Sequence, residues 1–560
     1  MIVHKRRLVF NTRLGLALGV AAYLAWLIRS ARTLGFCRDE SFYFDAAQNH
    51  ARWIKLLLDS PKRAFERGAV DGAFSYNHEH PSFLKNLFGV SWAYLHEKWH
   101  VFDDASTSFR FPGMVMACLA IAVTYSMGSR FYGRVAGLFA AGALALMPRV
   151  FYHAHLACFD VGIMAMIAAS VWAYERAHAT GKPSWIVAFG VVYGMTLDTK
   201  HNAWMLPAVF LGHTLVVAST SPKVDVRRAV RLAAPLVSMG TLGPLVCYAL
   251  WPWLWNDTQP RIREYVSFHM NHEYYNMEFL GRNYFSAPSP PHYAPVMIAA
   301  TVPTITLVLF AVGAAERLRS FGRLVARRLR TKEAQPELAW TAVQRDALVF
   351  AAVAVPLAVF FLPSTPIFGG TKHWFPAYPF MAMLAGRAFS VARARLWPLV
   401  RSRIPIRSGM FAAALGLVCL AAPLAATAHS HPFGLSAYVP LAGGTRGGAS
   451  LGLNRQFWGF TTQSLAPFLE REARPGERIF IHDTTWGAFG RMQQEKRLRS
   501  DLSGVGAPTD GDLAIVHHEL HMAEADTNIQ TAYETTTPVY VLTHDGVPII
   551  SVYRRPGTRR

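Results

Sequence analysis

The sequence predicts a polytopic α-helical membrane protein of about eleven transmembrane helices, with a long first extracytoplasmic loop and a small C-terminal extracytoplasmic α/β domain. Three observations predict it. Of 560 residues, 52% are hydrophobic and only 16% charged, against about 25% charged in soluble globular chains. Apolar runs close to the ~20 residues that cross a bilayer recur along most of the chain. Basic residues are confined to alternate connections between those runs, which is how cytoplasmic loops are marked.

The runs lie at about 13–29, 111–128, 133–148, 157–174, 184–198, 203–219, 231–251, 293–313, 346–362, 374–389 and 409–428. The first follows a basic start and resembles a signal peptide. No small-residue cleavage site follows it, so it reads as a retained helix.

With the N-terminus taken as cytoplasmic, the inside connections carry Lys5, Arg6 and Arg7; Arg130 and Arg134; Arg176 and Lys182; and Lys223, Arg227, Arg228 and Arg231. The next two are ERLRSFGRLVARRLRTKEAQPE and RAFSVARARLWPLVRSRIPIRS, the latter with six arginines and no acid. The net charge of +21 therefore reports membrane topology. The basic residues are not interleaved with aromatics as in a nucleic-acid binder, and no nucleic-acid partner is expected. An integral multi-pass protein of a bacterial inner membrane is expected, with membrane lipids as its surroundings.

The outer connections, of which 30–110 is the longest, collect the histidines, carboxylates, lysines and aromatics. Beyond residue 428 the long apolar runs stop. ERIFIHDTTW, GDLAIVHHEL, TPVYVLTH and VPIISVYRR read as short strands and TQSLAPFLEREA as an amphipathic helix. The expected division is a transmembrane domain over 1–428 and an outer α/β domain over 429–560. The five cysteines form no CxxC, and three lie in apolar runs. They are read as buried thiols, with one bridge between Cys37 and Cys158 left open.

Five stretches carry candidate chemistry. In CRDESFYF, Asp39 and Glu40 stand just outside a membrane face, where a carboxylate must be hydrated, paired or functional; capping a helix start is their competing role. In NHEHPSFLKN, Pro81 is placed to open a helix that presents Lys85, beside His78 and His80, to a phosphate. FYHAHLACFD puts Asp160 at the mouth of a spanning helix, with His153 and His155 nearby. LDTKHNAW and GGTKHWFPAYPF each set a Lys-His pair, Lys200-His201 and Lys372-His373, at an outer boundary, and together these suit an anionic head group. HHELH lacks the two-histidine spacing of a metalloprotease and is not read as a metal site.

Together these stretches resemble the GT-C glycosyltransferases, in the protein-mannosyltransferase-like branch that includes the lipid A aminoarabinose transferase. The likeness rests on Asp39-Glu40, on HEHPSFLKN in the place of an HPP-type motif, on the stretch from RFPGMVMACLAIAVTYSMG to FYHAHLACFD, and on GGTKHWFPAYPFMAMLAGRA. Ser82 stands where the family has a second proline, and Lys372-His373 where many relatives have an arginine.

The resemblance implies a GT-C fold and a polyprenyl-phosphate-linked sugar as donor. It also implies a lipid, glycan or protein acceptor, and chemistry on the outer face. Asp39, Glu40 and Asp160 would be catalytic. His78, His80, Lys85, Lys200, His201, Lys372 and His373 would bind the donor phosphate or substrate. A divalent cation at Asp39 and Glu40 is left open. The alternative is a transporter or flippase of a lipid-linked saccharide; the absence of visible repeat halves speaks against it. A third reading, a non-catalytic sensor, has Asp39 and Asp160 tolerating substitution.

Overall fold

The structure is a computed structural model that describes residues 2–220, 225–331, 337–367 and 369–557. Lys223 and residues 332–336, counted above among the basic connections, lie outside the described residues. The chain is mostly helical, with two small sheets.

Among the described residues, six helices are long and apolar enough to cross a membrane, and a seventh results if Arg134–Ala145 and Pro148–Ala154, bent by 69°, form one span. Several are apolar and yet exposed: Ser408–Ser430 leaves Leu417 and Val418 72% and 74% accessible. Such surface is stable only against lipid, and the chain is an integral membrane protein.

The remaining predicted runs also fall on helices. Residues 157–174 lie in Phe159–Thr180, 184–198 in Pro183–Leu197, 374–389 largely in Tyr378–Arg401, and 293–313 in Tyr293–Thr301 plus Thr304–Thr331. With no hydrophobic drive between helices in lipid, close contact needs small side chains. Gly194 of helix Pro183–Leu197 supplies one: a Cβ there would stand 2.5 Å from the carbonyl of Gly243 on helix Val226–Leu250.

Between the first helix, Ile2–Ala31, and helix Ala105–Tyr132 the long connection folds into helices that include Glu40–Asp59, Arg67–Phe74 and Phe83–Ser91. Toward the C-terminus a five-stranded sheet runs Ser503–Val505, Arg478–Phe480, Leu513–His517, Val547–Arg554, Tyr540–His544. Its first three strands are parallel and the rest antiparallel. Four strands coincide with the predicted ones. Ser503–Val505 was not legible, being a three-residue strand around a glycine.

Alternating side chains split this sheet's burial between two faces. Ile479, Leu513 and Ile515 join the core of the helical body. Phe480, Ala514 and Val516 pack with Ile529 of helix Ala523–Ala532 and with Tyr533, which caps its end. The region docks on helix Glu40–Asp59 by Arg491 with Asp45 (2.6 Å) and on the start of helix Ala105–Tyr132 by Glu495 with Ser106 (2.7 Å).

Candidate active site

The pair Asp39-Glu40 is adjacent in sequence and divergent in space. Asp39 is the residue before helix Glu40–Asp59, and successive side chains on a helical turn point about 100° apart. Glu40 turns inward to a fully buried ion pair with Arg110. Its Oε1 accepts from Arg110 Nε at 2.8 Å and its Oε2 from Nη2 at 2.7 Å. The backbone N–H groups of Cys37 and Ala157 also donate to it. Arg110 spends its remaining donors on the carbonyls of Ala31, Leu34 and Gly35. One pair thus joins the end of the first helix, the Asp39 turn and the turn before Asp160. Glu40 has no oxygen left for substrate or for a cation shared with Asp39, contrary to the role expected of it.

Asp39 is only partly buried, and its carboxylate has no hydrogen bond or ion pair among the described residues. Burial, together with Asp160, raises its pKa above the ordinary carboxylate value, against the pull of Lys372, Arg38 and Lys200. A carboxylate so placed keeps an affinity for protons and nothing to spend it on.

Asp160 opens helix Phe159–Thr180 and is held from two sides, by Lys200 Nζ at 2.8 Å and His153 Nδ1 at 3.3 Å. Lys372 is delivered by two consecutive glycines, Gly369 and Gly370, at φ +68° and +65°. A Cβ on Gly369 would meet Lys372 Cε at 2.4 Å and push the end of the lysine aside, and the positive φ itself favours glycine there. The ammonium lies 3.8 Å from the ring centroid of Trp458, a cation–π distance. Trp458 is itself at φ +76°, a conformation non-glycine residues adopt at a cost, and its carbonyl accepts from Arg38 N–H. Arg38 is anchored in turn to Asp483.

A second rim is histidine-rich. The rings of His201 and His269 are 4.1 Å apart and those of His80 and His269 6.2 Å. Burial, then Lys85, holds His80 well below the ordinary histidine value, so it is neutral at pH 7. The backbone carbonyl of His373 lies 3.4 Å from the Asn202 amide, and the two Lys-His pairs, distant in sequence, approach one another.

Two expected phosphate binders point elsewhere. Helix Phe83–Ser91 starts two residues after Pro81, and Lys85, buried, donates back to the carbonyls of Asn77 at 2.6 Å and His80 at 2.8 Å. It closes its own loop because those carbonyls have no helical partner. His78 stacks on Trp253 and pairs with Glu264 at 2.8 Å.

The structure therefore brings Asp39, Asp160, Lys200, Lys372, His80, His201 and His373 into one neighbourhood. It adds His153, His269, Trp458 and Arg38, which the site reading had not included. A histidine in the long outer connection and a tryptophan in the C-terminal region carried no local signal.

Two groups of side chains among the described residues could hold a metal ion: Glu278, Glu519 and His521, and His429, His544 and Asp545. Glu278 and Glu519 of the first group line a cavity of about 320 Å³. Neither includes Asp39 or Asp160.

A helical membrane body with two carboxylates and two lysines gathered at one end defines the class of protein. Residues 94–253, less than a third of the chain, match the family model described as dolichyl-phosphate-mannose-protein mannosyltransferase, and the likeness to protein mannosyltransferases is borne out over that stretch. That stretch contains Asp160, Lys200 and His201 and stops short of Asp39 and Lys372. No curated protein matches the chain.

Among solved structures it is similar to ArnT from Cupriavidus metallidurans in the apo state, at 15% identity and TM-score 0.44 over 96% of this chain and 98% of that one. The same protein bound to undecaprenyl phosphate gives 15%, 0.46, 96% and 97%. The archaeal oligosaccharyltransferase AglB from Archaeoglobus fulgidus, in complex with an inhibitory peptide and a dolichol-phosphate, gives 11%, 0.47, 95% and 74%.

Proposed function

We propose that this protein transfers a sugar from a polyprenyl-phosphate-linked donor to a hydroxyl of a lipid, glycan or protein acceptor. The reading is carried by Asp39, a carboxylate with no hydrogen-bond or ion-pair partner among the described residues and in the electrostatic reach of Lys200 and Lys372. The family match over 94–253 supports it.

In this reading the acceptor oxygen attacks the anomeric carbon as Asp39 takes the hydroxyl proton. The bond from that carbon to the phosphate oxygen breaks, and the polyprenyl phosphate leaves with the electron pair. Lys372 and Lys200 stabilise the charge that develops there. Asp160 holds Lys200 and His153 in place. A single displacement inverts the anomeric centre, by analogy with inverting glycosidases. Glu40, with Arg110, sets the position of the Asp39 turn.

The basic connections support eleven crossings with the N-terminus inside, which puts this end of the body, and the region 429–560, on the extracytoplasmic side of a bacterial inner membrane. The region after 428 closes over the site through Trp458 and Asp483.

Membranes carrying the protein, supplied with radiolabelled lipid-linked sugar, test the reading. Asp39→Asn is expected to insert and fold normally while transfer disappears; undiminished transfer rejects the assignment. Movement of intact donor across the bilayer without its consumption would favour the flippase reading instead.

A further inference from the structure

Only two of the five cysteines stand outside the interiors of apolar helices, and both share a local pattern. Cys37-Arg38-Asp39 and Cys158-Phe159-Asp160 each put a cysteine two residues ahead of an acid of the site. The structure brings the two sulfurs within 3.8 Å of one another, although 121 residues separate them. Both side chains are buried, at 0% and 4% accessibility.

Their approach is enforced by the surroundings. The amide of Cys37 donates to one oxygen of Glu40 and the amide of Ala157, next to Cys158, to the other. The buried Glu40–Arg110 pair thus clamps both turns to one carboxylate. The sulfurs are thus in contact, at a separation longer than the about 2.05 Å of a bond. Cys118, by contrast, donates to the carbonyl of Val20 and has no second cysteine beside it among the described residues.

Two buried thiols filling space would also fit a core. Filling space does not require both to fall at the same offset from the two acids, in turns that meet only in the fold.

We propose that Cys37 and Cys158 form a disulfide that ties the turn of Asp39 to the start of the Asp160 helix and fixes the separation of the two carboxylates. Two thiols lose two electrons and two protons to the disulfide of a thiol–disulfide oxidant, which leaves as a dithiol. Such oxidants operate in extracytoplasmic compartments, so the proposal rests on the orientation given above. Burial pushes the Cys37 thiol above its ordinary pKa. A thiol held protonated exchanges slowly, so the bond forms as the two turns meet, before the pair is sealed from the oxidant.

The experiment is a mass-spectrometric map of the full-length protein, denatured with an alkylating reagent and no reductant. The expected result is a peptide linking Cys37 to Cys158, with Cys118, Cys247 and Cys419 alkylated. Alkylation of both Cys37 and Cys158 overturns the proposal. Labelling of Lys55→Cys, exposed on helix Glu40–Asp59, by a membrane-impermeant maleimide reports separately whether the orientation, and with it the proposed function, fails.

A functional arm distinguishes a tether from packing. Cys37→Ser, Cys158→Ser and the double variant are expected to lose turnover several-fold and equally, with the KM for donor unchanged. Reductant added during folding should bring the wild type to the same level and leave the double variant unaffected. Additive losses, or a reductant effect on the double variant, count against the bond.

Discussion

The two ends of helix Ala105–Tyr132 lie about 40 Å apart at 1.5 Å per residue, and they treat charge differently. Near its end, Arg130 closes on Glu175 at 3.0 Å, Arg317 on Asp346 at 2.6 Å, and Arg387 on Glu316 at 2.9 Å. Tyr132 adds a hydrogen bond to Asp346. Near its start, Arg110 closes on Glu40 in the same way, yet the adjacent Asp39 has no hydrogen bond or ion pair to its carboxylate among the described residues. Arginine forks fit carboxylates bidentately and are the economical way to hold a charge at a membrane face. Asp39, which escapes such pairing among the described residues, is available to do chemistry.

The comparison is broken most severely by Arg110→Met. It strands Glu40 as a buried charge and should destabilise the protein by about 3–5 kcal/mol, read as a large fall in detergent Tm together with loss of transfer. Arg110→Met combined with Glu40→Met should recover much of the stability. If the single variant unfolds no more easily than wild type, the pair is not the staple described.

Asp39→Asn comes next and should separate stability from activity. Transfer is expected to drop by roughly 10²–10⁴, the usual worth of a general base. Stability should hold or rise slightly at neutral pH. The folded pKa is raised, so the native state binds the extra proton only below it. Above that value the ionised group counts against folding, and asparagine removes it. The same sign predicts that wild-type transfer falls as pH drops through a midpoint above the ordinary carboxylate range, measured as kcat/KM against pH.

At the opposite end, Arg130→Gln should cost about 1–3 kcal/mol by leaving Glu175 without its fork, with the transfer rate of the folded fraction unchanged. A specific loss of transfer would erase the contrast between the ends.

The smallest effect concerns Lys85. Burial pushes its ammonium down to about 7 from 10.5. Between those values the unfolded chain holds a proton that the native one lacks, so stability rises with pH across the window. Lys85→Met should flatten that slope in Tm against pH.

Much of this was legible from residue order. Composition and the basic connections announce a membrane protein, because bilayer thickness and topology rules act on local sequence. The two Lys-His pairs and Asp160 were recognisable as ionisable groups at the ends of apolar runs. Glu40 was misread because adjacency in sequence suggests a shared task, whereas the first helical turn sends the two acids in different directions. Lys85 was misread because a lysine near a helix start looks like an anion binder until the loop carbonyls that capture it are seen.

The sequence by itself determined the solvent each segment meets, since hydropathy and charge are properties of short windows. It determined the strands near the C-terminus for the same reason. Only the tertiary structure decided which acid is left over. That depends on Arg110 reaching Glu40, on Lys200 and His153 reaching Asp160, and on Trp458 arriving beneath Lys372 from far along the chain. Each is a contact between residues whose separation in sequence carries no information about their separation in space.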